Sequence, residues 1–313
     1  MTPSWQPLAT PARLQARAAL LAQIRQFFAQ RQVLEVQTPV LAAHGVTDVH
    51  IEQLCVGSAE RWLQTSPEYA MKRLLAAGVG DCYQMTPAFR AGEYGRLHNP
   101  EFTLLEWYRC DYDAPALMRE VGALVDQLLG PAPMASQRYA DAFIAQGLPD
   151  PLSADTQVLW QAAQDRRDVA APPDGLDRDG LLDWLLSTQV VPGLPRRCFI
   201  THYPASQAVL ARLSPQDDRV AERFELFCDG VELANGFHEL TDATALGERW
   251  QRDQAKRVAR GDAPGSMDAR LLSAMASGLP DCAGVALGVD RVFMLAQGLD
   301  SIAQGLTFDW GNA

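Results

Sequence analysis

Two stretches of this chain set extended runs back to back with no helix between them, and that arrangement rules out a strictly alternating βαβ fold. The first joins residues 82–90 to 101–110 through the polar loop AGEYGRLHNP. The second joins RFELFC to VELANGF around Asp229-Gly230, a dipeptide that favours a two-residue hairpin turn. Helices are predicted around them. Leu14, Leu21, Ile24 and Phe28, widened by Leu20 and Phe27, recur at helical spacing over residues 11–31. That helix runs into LEVQTPVL, a short extended segment closed by Pro39. Extended stretches over 49–56 and 61–64 follow, then a helix from Pro67 that ends near Gly78. Further helices are expected over 242–260 and 267–277, and GVALGVDRVFMLAQG reads as a Gly-rich strand turning into a helix near Asp290. Between about 130 and 197, Pro- and Asp-containing stretches alternate with short Ala/Leu helices, which predicts a helical insertion. The fold class is therefore α+β, an antiparallel sheet flanked by helices. We read residues 1–313 as one catalytic domain carrying that insertion.

Composition narrows the function. A chain of 313 residues that is 48% hydrophobic can bury a large core. Its formal charge of −11 provides no sequence-wide basic field to hold a phosphate backbone, although a local basic pocket stays open. The six cysteines show no C-x-x-C spacing and the five histidines do not cluster with them, which argues against zinc and against a disulfide framework. No apolar run approaches the ~18 residues of a membrane span, and the N-terminal order does not match a signal peptide. The expected compartment is a reducing cytoplasm, with no membrane partner.

Three segments could carry chemistry. In the Asp229-Gly230 hairpin, a two-residue turn pairs Phe227 with Glu232 and Glu225 with Ala234, so Glu225 and Glu232 project on one face as diagonal neighbours. Either they face water or a hard cation such as Mg²⁺ sits between them. Asn235, Glu239 and Asp242 prolong the polar run, suiting a pocket rim or a helix cap. In FRAGEYGRLHNPEFTLLEWY, Arg90, Arg96 and His98 offer donors while Glu106 and Tyr108 share a face at i and i+2. Such a hairpin suits a phosphorylated nucleotide beside a cationic ligand, or is an ordinary one with solvated charges. In GVALGVDRVFMLAQG the glycines allow close backbone approach, and Arg291 could hold a phosphate. It is neither a P-loop nor a dinucleotide fingerprint.

Taken together and in this order, LEVQTPVL, FRAGEYGRLHNPEFTLLEWY and GVALGVDRVFML resemble the three signature motifs of class II aminoacyl-tRNA synthetases, most closely the lysine-type catalytic core. The resemblance spans about Leu14 to Ala296. Only about ten residues precede the first helix, leaving no room for an anticodon-binding OB domain. PASQAVLARL, and Ala286 where the synthetases usually carry glycine, are similar to the truncated paralogues that modify elongation factor P, the elongation factor P (R)-β-lysine ligase family.

The resemblance implies the following roles. Arg90 would hold the α-phosphate of ATP and the amino-acid carboxylate, and Arg291 the γ-phosphate, so these two are the catalytic pair. Ala91, Gly92, His98, Asn99, Glu232, Leu233 and Gly288 would line the nucleotide site, and Glu225 and Glu232 would coordinate Mg²⁺. Ser66, Pro67, Glu68, Glu106, Tyr108, Asn235, Glu239 and Ala286 would form the pocket for a diamino acid, (R)-β-lysine or lysine, whose two ammonium groups need acidic walls. One departure stands out: the family's Arg-x-Glu is here Arg90-Ala91-Gly92, with glutamate displaced to Glu93. Gly92 is expected to face the nucleotide through its backbone. The implied activity is AMP-forming: adenylation of the amino acid, then transfer to a lysine amine of elongation factor P by a homodimer that reads no tRNA anticodon. The alternatives are an adenylate-forming enzyme with an RNA or small-molecule acceptor, which substrate identity discriminates, and a catalytically silent regulatory protein, which the retained Arg90, Glu225, Glu232 and Arg291 argue against.

Overall fold

A computed structural model describes residues 5–45, 52–57, 61–165, 171–173, 175–259 and 267–313. The chain divides into two compact units, Met1–Pro131 with Glu239–Ala313, and Ala132–His238.

The first unit opens with α1 (Pro11–Ala29), whose start is set by Thr10: its hydroxyl accepts from the Arg13 N–H, and Pro11 occupies the first turn. The predicted stripe is the buried face, with Leu20, Ile24, Phe27 and Phe28 inside. Phe28 stacks on Tyr83 at 4.3 Å and meets Trp107 edge-on at 5.3 Å, so α1 docks through an aromatic cluster. LEVQTPVL contributes the two-residue strand β1 (Leu34–Glu35). Next, β2 (Leu41–Ala42), β3 (Cys55–Val56) and β4 (Arg61–Leu63) form a small antiparallel sheet in the order β2-β4-β3. Of the expected stretch over 49–56, only 55–56 form a strand and 52–54 are irregular, while positions 49–51 lie outside the described residues. The helix α2 (Glu68–Ala76) is capped by Pro67 rather than started by it, because Pro67 sits at ψ 1°, outside the helical range. β5 (Cys82–Phe89), β6 (Glu101–Cys110) and α3 (Ala114–Leu129) complete the N-terminal part.

The second unit comprises β7 (Ala135–Arg138), α4 (Tyr139–Ala145), α5 (Thr156–Gln164), α6 (Arg178–Leu185), β8 (Arg197–Pro204), β9 (Val220–Cys228) and β10 (Val231–His238). Its helices bury Tyr139, Phe143, Leu159 and Leu181 in one cluster with Ile200 and Tyr203 of β8. The chain then returns to the first unit through α7 (Ala243–Ala259), α8 (Ala269–Gly278), β11 (Cys282–Gly288) and α9 (Val289–Ala296). Position 260, the expected end of α7, lies outside the described residues.

Within the first unit the strand order is β1-β5-β6-β11, and within the second β10-β9-β8-β7. The hairpin pairs β5/β6 and β9/β10 are antiparallel, as their direct connections require. Two pairings differ from the expected antiparallel sheet: β1 runs parallel to β5, and β7 parallel to β8. Each is joined by a long connection containing helix, which is what a parallel pair needs. All six cysteines are free thiols; Cys82, Cys198, Cys228 and Cys282 are buried, Cys110 is half-buried and Cys55 is exposed. Among the described residues no helix is long and apolar enough to cross a membrane.

Candidate active site

Strand register builds the first cluster. On β6, Glu106 lies opposite Gln84 of β5 and Ala286 of β11, and Tyr108 lies opposite Gly284. Alternation then puts Gly284, Ala286 and Gly288 on the same face as Tyr108 and Glu106. A Cβ on Gly284 would lie 2.3 Å from the Tyr108 ring and 2.5 Å from Glu239 Oε1, so only glycine fits there. Ser66 donates its hydroxyl to Glu106 Oε2 at 2.6 Å, and Tyr108 donates to Oε1 at 2.7 Å. The Ser66 oxygen also accepts from the N–H of Glu68, which seats the start of α2 against the strand. Glu239 arrives on the chain following β10 and is anchored by its N–H to the Cys282 carbonyl at 3.0 Å.

Glu68, Glu106 and Glu239 thus converge, as the sequence predicts, but a fourth group joins them. Lys72, one turn along α2 from Glu68, places its ammonium 2.7 Å from Glu68 Oε1 and 2.6 Å from Glu239 Oε2. Sequence reasoning missed it, although the i, i+4 spacing from Glu68 was a usable signal. Burial and the neighbouring Glu68 push the Glu106 carboxyl up to about 8, against the hydrogen bonds from Ser66 and Tyr108. Burial alone would pull the Lys72 ammonium down, but Glu239 and Glu68 reverse the shift and hold it protonated.

The second cluster lies at the β5–β6 loop and the start of α9. The Arg90 N–H donates to the Pro100 carbonyl, which closes the loop, and its guanidinium lies over the Phe102 ring at 5.1 Å. Glu93 sits 3.7 Å from Arg90 and 4.0 Å from His98, and His98 Nε2 is 2.8 Å from Arg291 Nη2. The displaced glutamate therefore lies between Arg90 and His98. Gly92 has φ +73°, the left-handed region, so a glutamate at that position would be strained. Ala91 is held by its N–H on the Glu52 carbonyl. Asn99 is turned away: its amide donates to the Glu101 carbonyl, and its oxygen accepts from the Trp310 N–H at 2.9 Å. Asp242 is a helix cap, accepting from Thr244 N–H and Ala245 N–H, so the plainer of its two readings holds.

The third cluster belongs to the second unit. Phe227 pairs with Glu232 as expected, but Glu225 pairs with Asn235 and not with Ala234, because a β-bulge between Glu232 and Ala234 inserts one residue at Leu233. The bulge leaves Glu225 and Glu232 on one face and brings Asn235 onto it. Glu225 is buried, accepts from Tyr203 Oη at 2.6 Å and is paired with Arg223, whose Nε also donates to Asn235 Oδ1. Burial, with Glu232 adding to it against Arg223, pushes the Glu225 carboxyl up to about 7.

Among the described residues the buried Arg90 Nε has no hydrogen-bond partner, which suits a guanidinium to an anion such as phosphate. Glu232 on the same face adds to the upward push on the Glu225 carboxyl, which a hard dication with oxygen ligands would relieve, so this pair fits Mg²⁺.

The chain belongs to the class II tRNA synthetases of the D, K and N type, whose family model matches residues 8–309. Within that family it is 50% identical over 319 residues to the elongation factor P–(R)-β-lysine ligase of Salmonella typhi, with 98% of each chain covered. The ligases of the same name from Salmonella gallinarum and Salmonella paratyphi B match at the same identity and coverage.

Proposed function

We propose that this protein is an ATP-dependent, AMP-forming ligase that activates (R)-β-lysine, or lysine, and transfers it to the side-chain amine of a lysine on elongation factor P. The observation that carries the reading is the convergence of buried Glu106 and Glu239 with half-buried Glu68 in a chain 50% identical over its length to ligases of that name. In the first step the substrate carboxylate attacks the α-phosphorus of ATP and pyrophosphate leaves, giving an acyl-adenylate. Arg90 binds the α-phosphate and orients the carboxylate; Arg291 binds the γ-phosphate; neither forms a covalent bond. Glu225 and Glu232 would hold Mg²⁺, which supplies neutralisation of phosphate charge. Gly92 and Gly288 keep the backbone open to the nucleotide beside His98. In the second step the acceptor amine attacks the activated carbonyl and AMP departs.

The pocket binds the diamino acid through Glu106 and Tyr108, with Ser66 and Pro67 at its walls and Ala286 across from Glu106 limiting its depth. The chain works as a cytoplasmic homodimer formed through α1 and β1, with residues of about 130–197 inserted in one catalytic domain and no tRNA anticodon read. The test is amino-acid-dependent ATP–pyrophosphate exchange with (R)-β-lysine, L-α-lysine and the other standard amino acids. Exchange strongest with (R)-β-lysine, followed by its transfer to elongation factor P, is expected. Absence of exchange with every amino acid overturns the reading.

A further inference from the structure

The acidic pocket already contains a cation of its own. Lys72 is 2% exposed at its side chain and spends two of its three N–H donors on Glu68 and Glu239. These carboxylates come from separate parts of the chain, one from the first residue of α2 and one from the segment after β10, so the ammonium fastens the two together. Neither partner is loose. Glu68 is fixed by the Ser66 oxygen at its N–H, and Glu239 by its N–H on Cys282, with Gly284 leaving no spare volume at Oε1. Two carboxylates converging on one point would repel each other without a cation between them. With Lys72 in place, one of the two negative charges of Glu68 and Glu239 is offset and the remainder faces whatever enters.

We propose that Lys72 is a positioning residue for substrate selection: its ammonium holds Glu68 and Glu239 converged and fills one cation place, restricting the pocket to ligands of two ammonium groups and excluding those of three. This rests on the ligase reading above, since it assigns the determinant of charge number in that same pocket. Lys72 is not a nucleophile in this role. Both of its neighbours hold it as an ammonium, and it acts through the carboxylates it orients.

Two variants test this, each read by ATP–pyrophosphate exchange as a function of (R)-β-lysine, with and without spermidine, a triamine that lacks a carboxylate. In K72M the KM for (R)-β-lysine is expected to rise about tenfold or more, with the saturated exchange rate little changed and spermidine inhibiting at about tenfold lower concentration than in wild type. A merely structural lysine would also raise KM, so spermidine decides: inhibition unchanged from wild type overturns the proposal even if KM has risen. If circular dichroism shows K72M unfolded, K72M/E68Q is compared with E68Q, which keeps Lys72 paired to Glu239. The double variant is expected to be about tenfold more sensitive to spermidine than E68Q; equal sensitivity overturns the proposal. Failure of wild-type exchange with every amino acid sinks the ligase reading instead, so the two failures are distinguishable.

Discussion

Glu106 shows most directly how burial sets behaviour at the scale of single residues. Its folded carboxyl titrates near 8, while an unfolded one titrates near its ordinary 4.5. Between those values the folded state keeps a proton that the unfolded state has lost, so stability falls as pH rises from about 5 to 8. Glu225, pushed up to about 7, contributes with the same sign. Calorimetric scans across that range should show a melting temperature declining with pH in wild type and a flatter profile in E106Q; parallel profiles would remove Glu106 as a source. The same proton predicts a signature of binding. A substrate ammonium arriving at pH 7 favours the carboxylate, so the proton leaves, and titration calorimetry in buffers of different ionisation enthalpy should report its release. On the nucleotide side, R90A and R291A should each lower exchange by roughly 10²–10³, the usual loss for one charge-stabilising donor.

At the scale of elements, the strands carry the design through alternation. Gly284 faces Tyr108 across β6 and β11, and G284A would drive a methyl group into that ring, an overpacking that costs ~1–3 kcal/mol. Urea unfolding measures it, and stability unchanged from wild type would mean the sheet yields more easily than its register suggests. α1 is anchored in the same way: F28A removes the contacts with Tyr83 and Trp107 and should cost ~3–5 kcal/mol. These elements were legible in the sequence. The stripe of Leu20, Ile24 and Phe28 repeats at helical spacing, and Asp229-Gly230 prescribes its turn. The bulge at Leu233 was not legible, because Glu232, Leu233 and Ala234 include neither glycine nor proline and nothing local marks an extra residue. It changes the outcome for Asn235, which would otherwise point to the opposite face from Glu225. The convergence of Glu68, Glu106 and Glu239 followed from the family resemblance, whereas the salt bridge of Glu239 to Lys72 depends on how α2 meets the segment after β10, a tertiary relation that spacing alone does not encode. The parallel pairing of β1 with β5 was hidden for the same reason.

At the scale of the whole molecule, the homodimer proposed to form through α1 and β1 has a direct test. Sedimentation velocity at micromolar concentration should give a dimer, and substitution of exposed Leu34 by lysine should shift it toward monomer without changing the fold. The net charge of −11 also has a consequence for partners: transfer to a protein acceptor should survive salt that would strip a weakly held RNA.

The distribution of thiols offers one more use. Cys82 and Cys198 are buried, with burial holding their thiols up to about 12 and about 11, so they resist alkylation, and Cys55 alone of the six stands open to solvent. A maleimide dye added under native conditions would therefore attach at one place. That place is three residues from Glu52, whose carbonyl carries the Ala91 N–H, so the label would sit beside the loop of Arg90 and could report nucleotide arrival as a change in its fluorescence.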